Sequence, residues 1–485
     1  MLWRSLSEAR LALATGFVTV RSAYLAALNV VNHDYRSEEQ MMTAPEKGPR
    51  LFSSDDLAAQ LQALGICSDS ERLAVAVSGG ADSLALALMV SEIAPIVGLT
   101  VDHQLRGESA DEADYVHSLL TKHDIEHHIL RWNGVKPESN LQAEAREARY
   151  ELLENWCRDN GIDHLLTAHH MNDQAETFLL RLARGSGVYG LASIEPVSLG
   201  LTNKNIKIVR PLLNFSKDGL KEYLTKRNIE WIDDPSNEKE QFNRVKVRRF
   251  LENPMLDGFT PERLAATANH FARTRDALRF YEAEWVSRHV VFDKFGCVSF
   301  KASSLKVAPE EIILRGLGGL IRRVSGNLYA PRFEKLYRLY DTLRTNDTFS
   351  GQTLMGTEIT LSDDETLISR ENSHITDRVT VEGGGEYIWD NRFSLTVSTS
   401  NISSETDNYP YYISKLGEDG WRELLQKFPE VRENAVVAKL PHRVKLSLPA
   451  VFDASGLRAV PHLEYSDLEN IKISVSLING ALSKK

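Results

Sequence analysis

The sequence predicts an α/β chain with a parallel-sheet domain, a helix-rich middle and a small mixed α/β module at its end. Three observations carry this. Short apolar runs at 73–77, 96–101, 125–132, 164–168 and 206–209 alternate with stretches of helical periodicity. That is the rhythm of βαβ units, which bury a mostly parallel sheet under helices on both faces. After about residue 250 the rhythm gives way to long helical patterns at 261–289, 310–324 and 331–346. Beyond the Gly383-Gly-Gly385 break, 387–399 alternates apolar and polar residues as strands do. The expected division is an extension over 1–50, a catalytic domain over 51–255, a helix-rich domain over 256–375 and a C-terminal domain over 376–485.

The elements follow in order. Ser53-Ser-Asp-Asp opens a helix to Leu64. The strand at 73–77 is followed by a helix at 83–90 with alanines and leucines at helical spacing. Acids crowd the first turns of a helix at 109–123. Asn140 caps a long helix closed by Gly161, and a helix at 173–184 ends at Gly185. A helix at 217–226 leads to a short extended stretch at 229–232, and 350–370 reads as short strands. No internal repeat is present.

The 485 residues exceed one domain at about 100–200 residues per domain. The net charge of −10 does not suggest a polyanionic partner, which would need local basic patches. Cys67, Cys157 and Cys297 are widely spaced and form no CxxC, which argues against a zinc ribbon, an iron–sulfur site or a disulfide framework. A reducing, cytoplasmic setting is expected. The stretch 11–31 is apolar but interrupted by Arg21, short of a membrane span of about 20 apolar residues. Arg4, Arg10 and Arg21 with a single early acid, Glu8, would suit a transit peptide. The plainer reading is a disordered or mis-assigned extension with Met41 or Met42 as the start.

Ser78-Gly-Gly-Ala-Asp-Ser83 stands directly behind the first strand. GxxxxGK[ST] is absent, and GxGxxG does not follow this strand, so neither a Walker loop nor a dinucleotide fingerprint is present there. Gly79 and Gly80 let the backbone approach a ligand, and their amides with a helix N-terminus near Ser83 point donors at an anion. Ser78 and Ser83 add hydroxyls. Asp82 would repel bare phosphate, but suits Mg²⁺ bridging to phosphates. The alternative is an ordinary turn with Asp82 or Ser83 as helix cap. These six residues leave both open. Asp102-His103 and His169-His170 also follow strand ends, where ligands bind in such sheets.

Asp173 and Glu176, three apart on one helix, share a face. An exposed acidic face is the bland explanation, and their place beyond a strand end argues against it. His169 and His170 suit an ion or a transferred proton, or packing for one of them. Adjacent residues after a strand diverge, which disfavours zinc. His103 and Arg106 could orient a ligand or merely hold a turn. Arg181 and Arg184 lie beyond the carboxylates, and Arg244, Lys246, Arg248 and Arg249 form the densest basic cluster, with 244 and 248 on one face. Arg273, Arg275, Arg279, Arg322, Arg323 and Arg332 together would make a basic stripe.

Ser78–Ser83 resembles the SGGxDS signature of the PP-loop ATP pyrophosphatases. With it come Val101-Asp-His-Gln-Leu-Arg106, His169-His-Met-Asn-Asp-Gln-Ala-Glu-Thr177, Leu179-Leu-Arg-Leu-Ala-Arg-Gly-Ser-Gly187, Arg210-Pro-Leu-Leu213 and Asp233-Asp-Pro-Ser-Asn237, then Arg244 and Arg248. In this order and spacing the set resembles the tRNA(Ile)-lysidine synthases over about 70–250. Leu440-Pro-His-Arg443 and Leu448-Pro-Ala extend the likeness more weakly.

The resemblance implies an adenine-nucleotide α-hydrolase-like (PP-loop) fold and ligation of L-lysine to the wobble cytidine of the CAU-anticodon isoleucine tRNA. The cytidine C2 oxygen attacks the α-phosphate of ATP and releases pyrophosphate. Lysine then displaces AMP, and codon reading changes from AUG to AUA. By resemblance Ser78, Gly79, Gly80, Ala81, Asp82 and Ser83 bind ATP, and Asp82 holds Mg²⁺. Asp173 and Glu176 bind lysine, and Asp82, Asp173, Glu176, Arg244 and Arg248 form the catalytic set. The implied partners are tRNA(Ile), L-lysine and a second copy of the chain, without a membrane. Asn172 and Val245 depart from the family's commoner Asp and Asn. A tRNA sulfur-transfer enzyme on the same scaffold is the alternative, and it would call for reactive cysteines.

Overall fold

The computed structural model describes residues 53–66, 72–104, 107, 109–134, 141–203, 205–232, 243–327, 329–345, 349–399, 411–468 and 471–478. The extension over 1–50, Cys67, Arg106, Asn140 and the 233–237 motif lie outside them. The chain divides into two compact units, and the division falls between Ala277 and Leu278.

The first unit runs α1 (Ser54–Ala63), β1 (Leu73–Ala76), α2 (Ala81–Ser91), β2 (Ile96–Asp102), α3 (Ser109–Lys122), β3 (Glu126–Arg131), α4 (Leu141–Asp159), β4 (His164–Leu166), α5 (Met171–Leu182) and α6 (Val188–Leu191). It continues through β5 (Val197–Leu199), β6 (Lys207–Val209), α7 (Lys217–Thr225), α8 (Asn243–Glu252) and into α9 (Pro261–His289). The sheet order is β3-β2-β1-β4-β6-β5. Five strands are parallel, and β5 pairs antiparallel with β6 at the edge. Three-residue β5 is too short to show a period, and the sequence did not predict it.

Both faces are covered. Leu73 and Val75 of β1 pack on one side with α1, α2, α3 and α7, while Ala74 packs on the other with Leu153 and Cys157 of α4. This alternation is the two-residue period of a strand. Helix α2 is buried from Ser83 through Val90, which explains its near-continuous Ala and Leu. It begins at Ala81 rather than near Ser83, so Asp82 and Ser83 lie inside its first turn. Residues 229–232 form no strand, although Ile232 N–H donates to Gly79 O at 3.0 Å. From β1 the sheet grows through β2 and β3 to one side and through β4 and β6 to the other. The reversal between β1 and β4 is the switch point where such sheets bind ligands at their carboxyl ends.

The second unit comprises β7 (Val290–Phe292), β8 (Val298–Lys301), α10 (Glu310–Ser325), α11 (Phe333–Thr345), β9 (Gln352–Leu354), β10 (Thr357–Ser362) and β11 (Glu365–Arg370). After them come β12 (Val379–Thr380), β13 (Gly385–Trp389), β14 (Phe393–Thr399), β15 (Tyr412–Lys415), α12 (Gly417–Lys427), α13 (Ala435–Lys439) and α14 (His442–Leu446). The last elements are β16 (Pro449–Asp453), β17 (Gly456–Val460), β18 (Tyr465–Ser466) and β19 (Ile471–Leu477). Helices α10 and α11 cover the sheet β7-β8-β11-β10-β9. The helix-rich middle thus carries a five-stranded sheet, whose hairpin β7–β8 turns at Gly296 with φ +81°. The expected strands at 350–370 are its other three.

Two of the six arginines expected in a basic stripe are buried. Arg275 is buried, with Nη1 on Glu195 Oε1 and Nε on Asp276 Oδ1, both at 2.9 Å. Arg322 is also buried. Arginine's long apolar stem lets it pack inside when a carboxylate meets its head.

Candidate active site

The chain leaves β1 at Val77, whose N–H donates to Leu99 O at 2.8 Å and whose carbonyl accepts from Thr100 Oγ1 at 2.7 Å. The loop therefore starts from a fixed root. Gly79 has φ +83°, and a Cβ there would lie 2.8 Å from Ile232 Cδ1 and 3.0 Å from Val116 Cγ2. Both conformation and space demand glycine. Gly80 is the N-cap of α2, without a side-chain cap, so the open amides of the first turn face the loop. Ser83 Oγ donates to Gly80 O at 3.0 Å, accepts from Ser78 N at 3.0 Å and lies 3.1 Å from Ser78 Oγ. Its hydroxyl, expected to be a donor to the ligand, donates instead within the loop. Among the described residues Asp82 Oδ1 is buried with no hydrogen-bond partner.

At the end of β4, Thr167 N–H donates to Val209 O at 2.9 Å, and Thr167 Oγ1 lies 3.0 Å from His169 Nδ1. His170 is the N-cap of α5. Its Nδ1 accepts from Asn172 N at 3.2 Å, and its own N–H donates to Asp173 Oδ2 at 3.0 Å. Asp173 and His170 thus close a reciprocal cap, which no composition rule for Ser, Thr, Asp or Asn caps would have found. His170 Nε2 lies 3.4 Å from Asp82 Oδ2 and 3.6 Å from Asp173 Oδ2. The loop after β1 and the helix after β4 therefore meet through one imidazole.

Glu176, one turn further along α5, is 2 % exposed. Arg248 Nε donates to Glu176 Oε1 at 2.6 Å, whereas Oε2 is buried with no hydrogen-bond partner among the described residues. Arg244 sits one turn before Arg248 on α8, exposed, and its charge reaches Asp173, Glu176 and His169. Val245 is buried, so it faces the core while Arg248 faces the site. Asn172 Oδ1 accepts from Lys217 N at 3.4 Å and ties α5 to α7.

The two carboxylates of α5 differ in charge preference. Burial pushes the Glu176 carboxyl up, only partly opposed by Arg248, and it lies above the ordinary range. Burial also acts upward on Asp173, but His170, His169, the His170 amide and Arg244 hold it below the ordinary value. Burial drives His169 down to about 4 against the attraction of Asp173, with Arg210, Arg146 and Arg244 adding to the fall. For His170 burial acts downward too, yet the Asp82 hydrogen bond and the Asp173 and Asp82 charges leave it raised. Arg146 was not singled out from the sequence. Its position on the helix before the histidine motif carried no signal by spacing.

Other predicted residues lie apart from this convergence. His103 packs edge-on against Trp132 at 5.9 Å. Arg181 Nη1 donates to Gly190 O at 2.8 Å and Ser193 O at 2.9 Å, holding the segment after α5. Arg184 is exposed. Burial pushes the Cys157 and Cys297 thiols up to about 12, so neither is a reactive thiolate. Among the described residues no group of three or more His, Cys, Asp or Glu side chains could hold a metal. A cation at Asp82 would complete its shell with ligand oxygens and water.

Residues 53–255 match the sequence model of the PP-loop domain. The chain is 37% identical over 411 residues to a tRNA(Ile)-lysidine synthase of Wolbachia pipientis wMel, a match covering 82% of this chain and 90% of that relative. It is 31% identical over 432 residues to the tRNA(Ile)-lysidine synthase of Orientia tsutsugamushi (strain Boryong), covering 86% and 95%. A third such synthase, from Wolbachia sp. subsp. Brugia malayi (strain TRS), is 36% identical over 350 residues, covering 70% and 80%. Likeness of that extent is longer than either compact unit alone, and the chain belongs to the tRNA(Ile)-lysidine synthase family.

Proposed function

We propose that this ligase joins L-lysine to the wobble cytidine of an isoleucine tRNA with a CAU anticodon, at the expense of ATP. The observation that carries the reading is the meeting of Asp82, Asp173 and His170 at the switch point, with bare carboxylate oxygens on both sides of it: Asp82 Oδ1 and Glu176 Oε2. A buried carboxylate oxygen without a donor costs free energy unless a cation or donor arrives.

Ser78, Gly79, Gly80, Ala81, Asp82 and Ser83 cradle the phosphates through open first-turn amides and the helix dipole. The orphaned Asp82 Oδ1 fits Mg²⁺, which would offset phosphate charge as the cytidine C2 oxygen attacks the α-phosphate. Asp173 and Glu176 receive the ammonium of lysine, whose amine then attacks C2 and displaces AMP. Arg244, exposed, suits contact with phosphate oxygens, and Arg248 orients Glu176 through its Nε. A second copy of the chain and a cytoplasmic location belong to this proposal. Among the described residues no helix is long and apolar enough to cross a membrane. So do folding units at 51–255, 256–375 and 376–485. The sulfur-transfer reading is the weaker one, since the described cysteines are buried with raised thiol values.

The test is incubation with ATP, Mg²⁺, labelled lysine and the CAU tRNA. Label should enter the tRNA, with AMP and pyrophosphate as co-products. Formation of ADP instead would refute the reading. Asp82→Ala should abolish adenylation, whereas Glu176→Ala should mainly impair lysine use.

A further inference from the structure

We infer that His170 is a positioning residue that locks the nucleotide-side carboxylate Asp82 and the lysine-side carboxylate Asp173 into one frame, and so sets the affinity of Asp82 for its cation. This rests on the reading above, through the role given to Asp82.

The geometry gives each nitrogen of the residue a partner. Nδ1 accepts the Asn172 amide at 3.2 Å, so in the neutral ring the proton is on Nε2. That Nε2 lies 3.4 Å from Asp82 Oδ2 and 3.6 Å from Asp173 Oδ2. The backbone N–H of the same residue donates to Asp173 Oδ2 at 3.0 Å. The imidazole is 5 % exposed, so water does not replace these contacts. With Oδ2 turned toward the ring, Asp82 is left with Oδ1 buried and bare. Ligating carboxylates are commonly held in this way by a neighbouring donor, and loss of that donor weakens metal binding by roughly 10–100-fold. The plainer role of His170, a helix cap alone, would need only Nδ1.

Two substitutions separate the roles. His170→Asn keeps an acceptor at the capping position but is too short to reach Asp82. His170→Gln can reach Asp82 with its amide but is a poor cap. The measurement is Mn²⁺ affinity of the full chain by electron paramagnetic resonance, with α,β-methylene ATP present, alongside thermal unfolding. We expect His170→Asn to lose roughly 10–100-fold in Mn²⁺ affinity with little change in unfolding temperature. His170→Gln should keep the greater affinity and unfold earlier. Wild-type affinity in His170→Asn, or weaker binding in His170→Gln than in His170→Asn, would overturn the inference. Should His170→Asn not fold, His170→Gln decides alone: retained affinity supports the role and lost affinity ends it. Lysine incorporation by the unaltered protein is scored separately. Its absence beside the expected Mn²⁺ crossover would sink the functional reading and leave the positioning role standing.

Discussion

Two buried glutamates in the same unit have opposite surroundings. Glu154 on α4 is 0 % exposed and accepts from Leu201 N at 2.6 Å, Thr202 N at 2.8 Å, Thr202 Oγ1 at 2.7 Å and Asn203 N at 2.7 Å. Glu176 on α5 is almost as buried, yet among the described residues it accepts only from Arg248 and keeps one oxygen bare. Burial alone therefore does not mark a site. A saturated carboxylate holds a turn together, here the turn joining β5 to β6. An unsaturated one gains from any cation or donor that a ligand brings to it.

The comparison can be broken most directly at Glu154. Glu154→Ala strips the acceptor from three amides and a hydroxyl, and charge-assisted bonds of this kind contribute about 1.5–3 kcal/mol each. We expect a loss of about 3 kcal/mol or more in denaturant unfolding. A loss below about 1 kcal/mol would mean the turn holds itself. Glu176→Gln should show the reverse pattern. Its stability should shift by less than about 1 kcal/mol, while lysine incorporation falls by roughly 100-fold. Comparable damage to folding in both variants would erase the distinction.

Gly79→Ala tests the loop itself. Strain at φ +83° with a Cβ 2.8 Å from Ile232 should cost about 1–3 kcal/mol and raise the KM for ATP. An unchanged KM would show that the cradle does not need this backbone. Cys157→Ala should remove about 1 kcal/mol of packing without touching ligation, and loss of activity there would revive the sulfur reading.

The smallest effect is one of sign. Glu176 is raised in the fold, so the stability it contributes is present near and below its unfolded value and is lost as pH rises through the raised one. Asp173 is lowered, so its contribution is present above its unfolded value and is lost as pH falls through the lowered one. The stability difference between wild type and Glu176→Gln should therefore move in the variant's favour as pH rises from mildly acidic to neutral. That between wild type and Asp173→Asn should favour wild type at neutral pH and close in acid. Parallel trends in the two pH titrations of unfolding free energy would contradict the opposed environments.

Much of this was legible along the chain. Alternating apolar runs and helical periods located the five parallel strands, because side-chain period follows directly from backbone geometry. The Gly-Gly pair behind β1 and the Asp–Glu spacing of three on one helix pointed to the two halves of the candidate site for the same reason. What was hidden has a common cause. The pairing of Glu176 with Arg248 spans 72 positions, and the grip of Glu154 on Asn203 spans 49. His170 as a cap, β5 as an antiparallel edge and Arg275 as a buried cation likewise depend on what another segment brings.

The sequence by itself determined the order of strands and helices, the loop that must bend at Gly79, and the placing of acids and bases at strand ends. These depend on local sterics and residue spacing, which neighbours along the chain control. Only the tertiary structure decided which carboxylates are saturated and which oxygens stay bare. That outcome is set by packing between segments far apart in sequence, and by the cost of burying a charge without a partner.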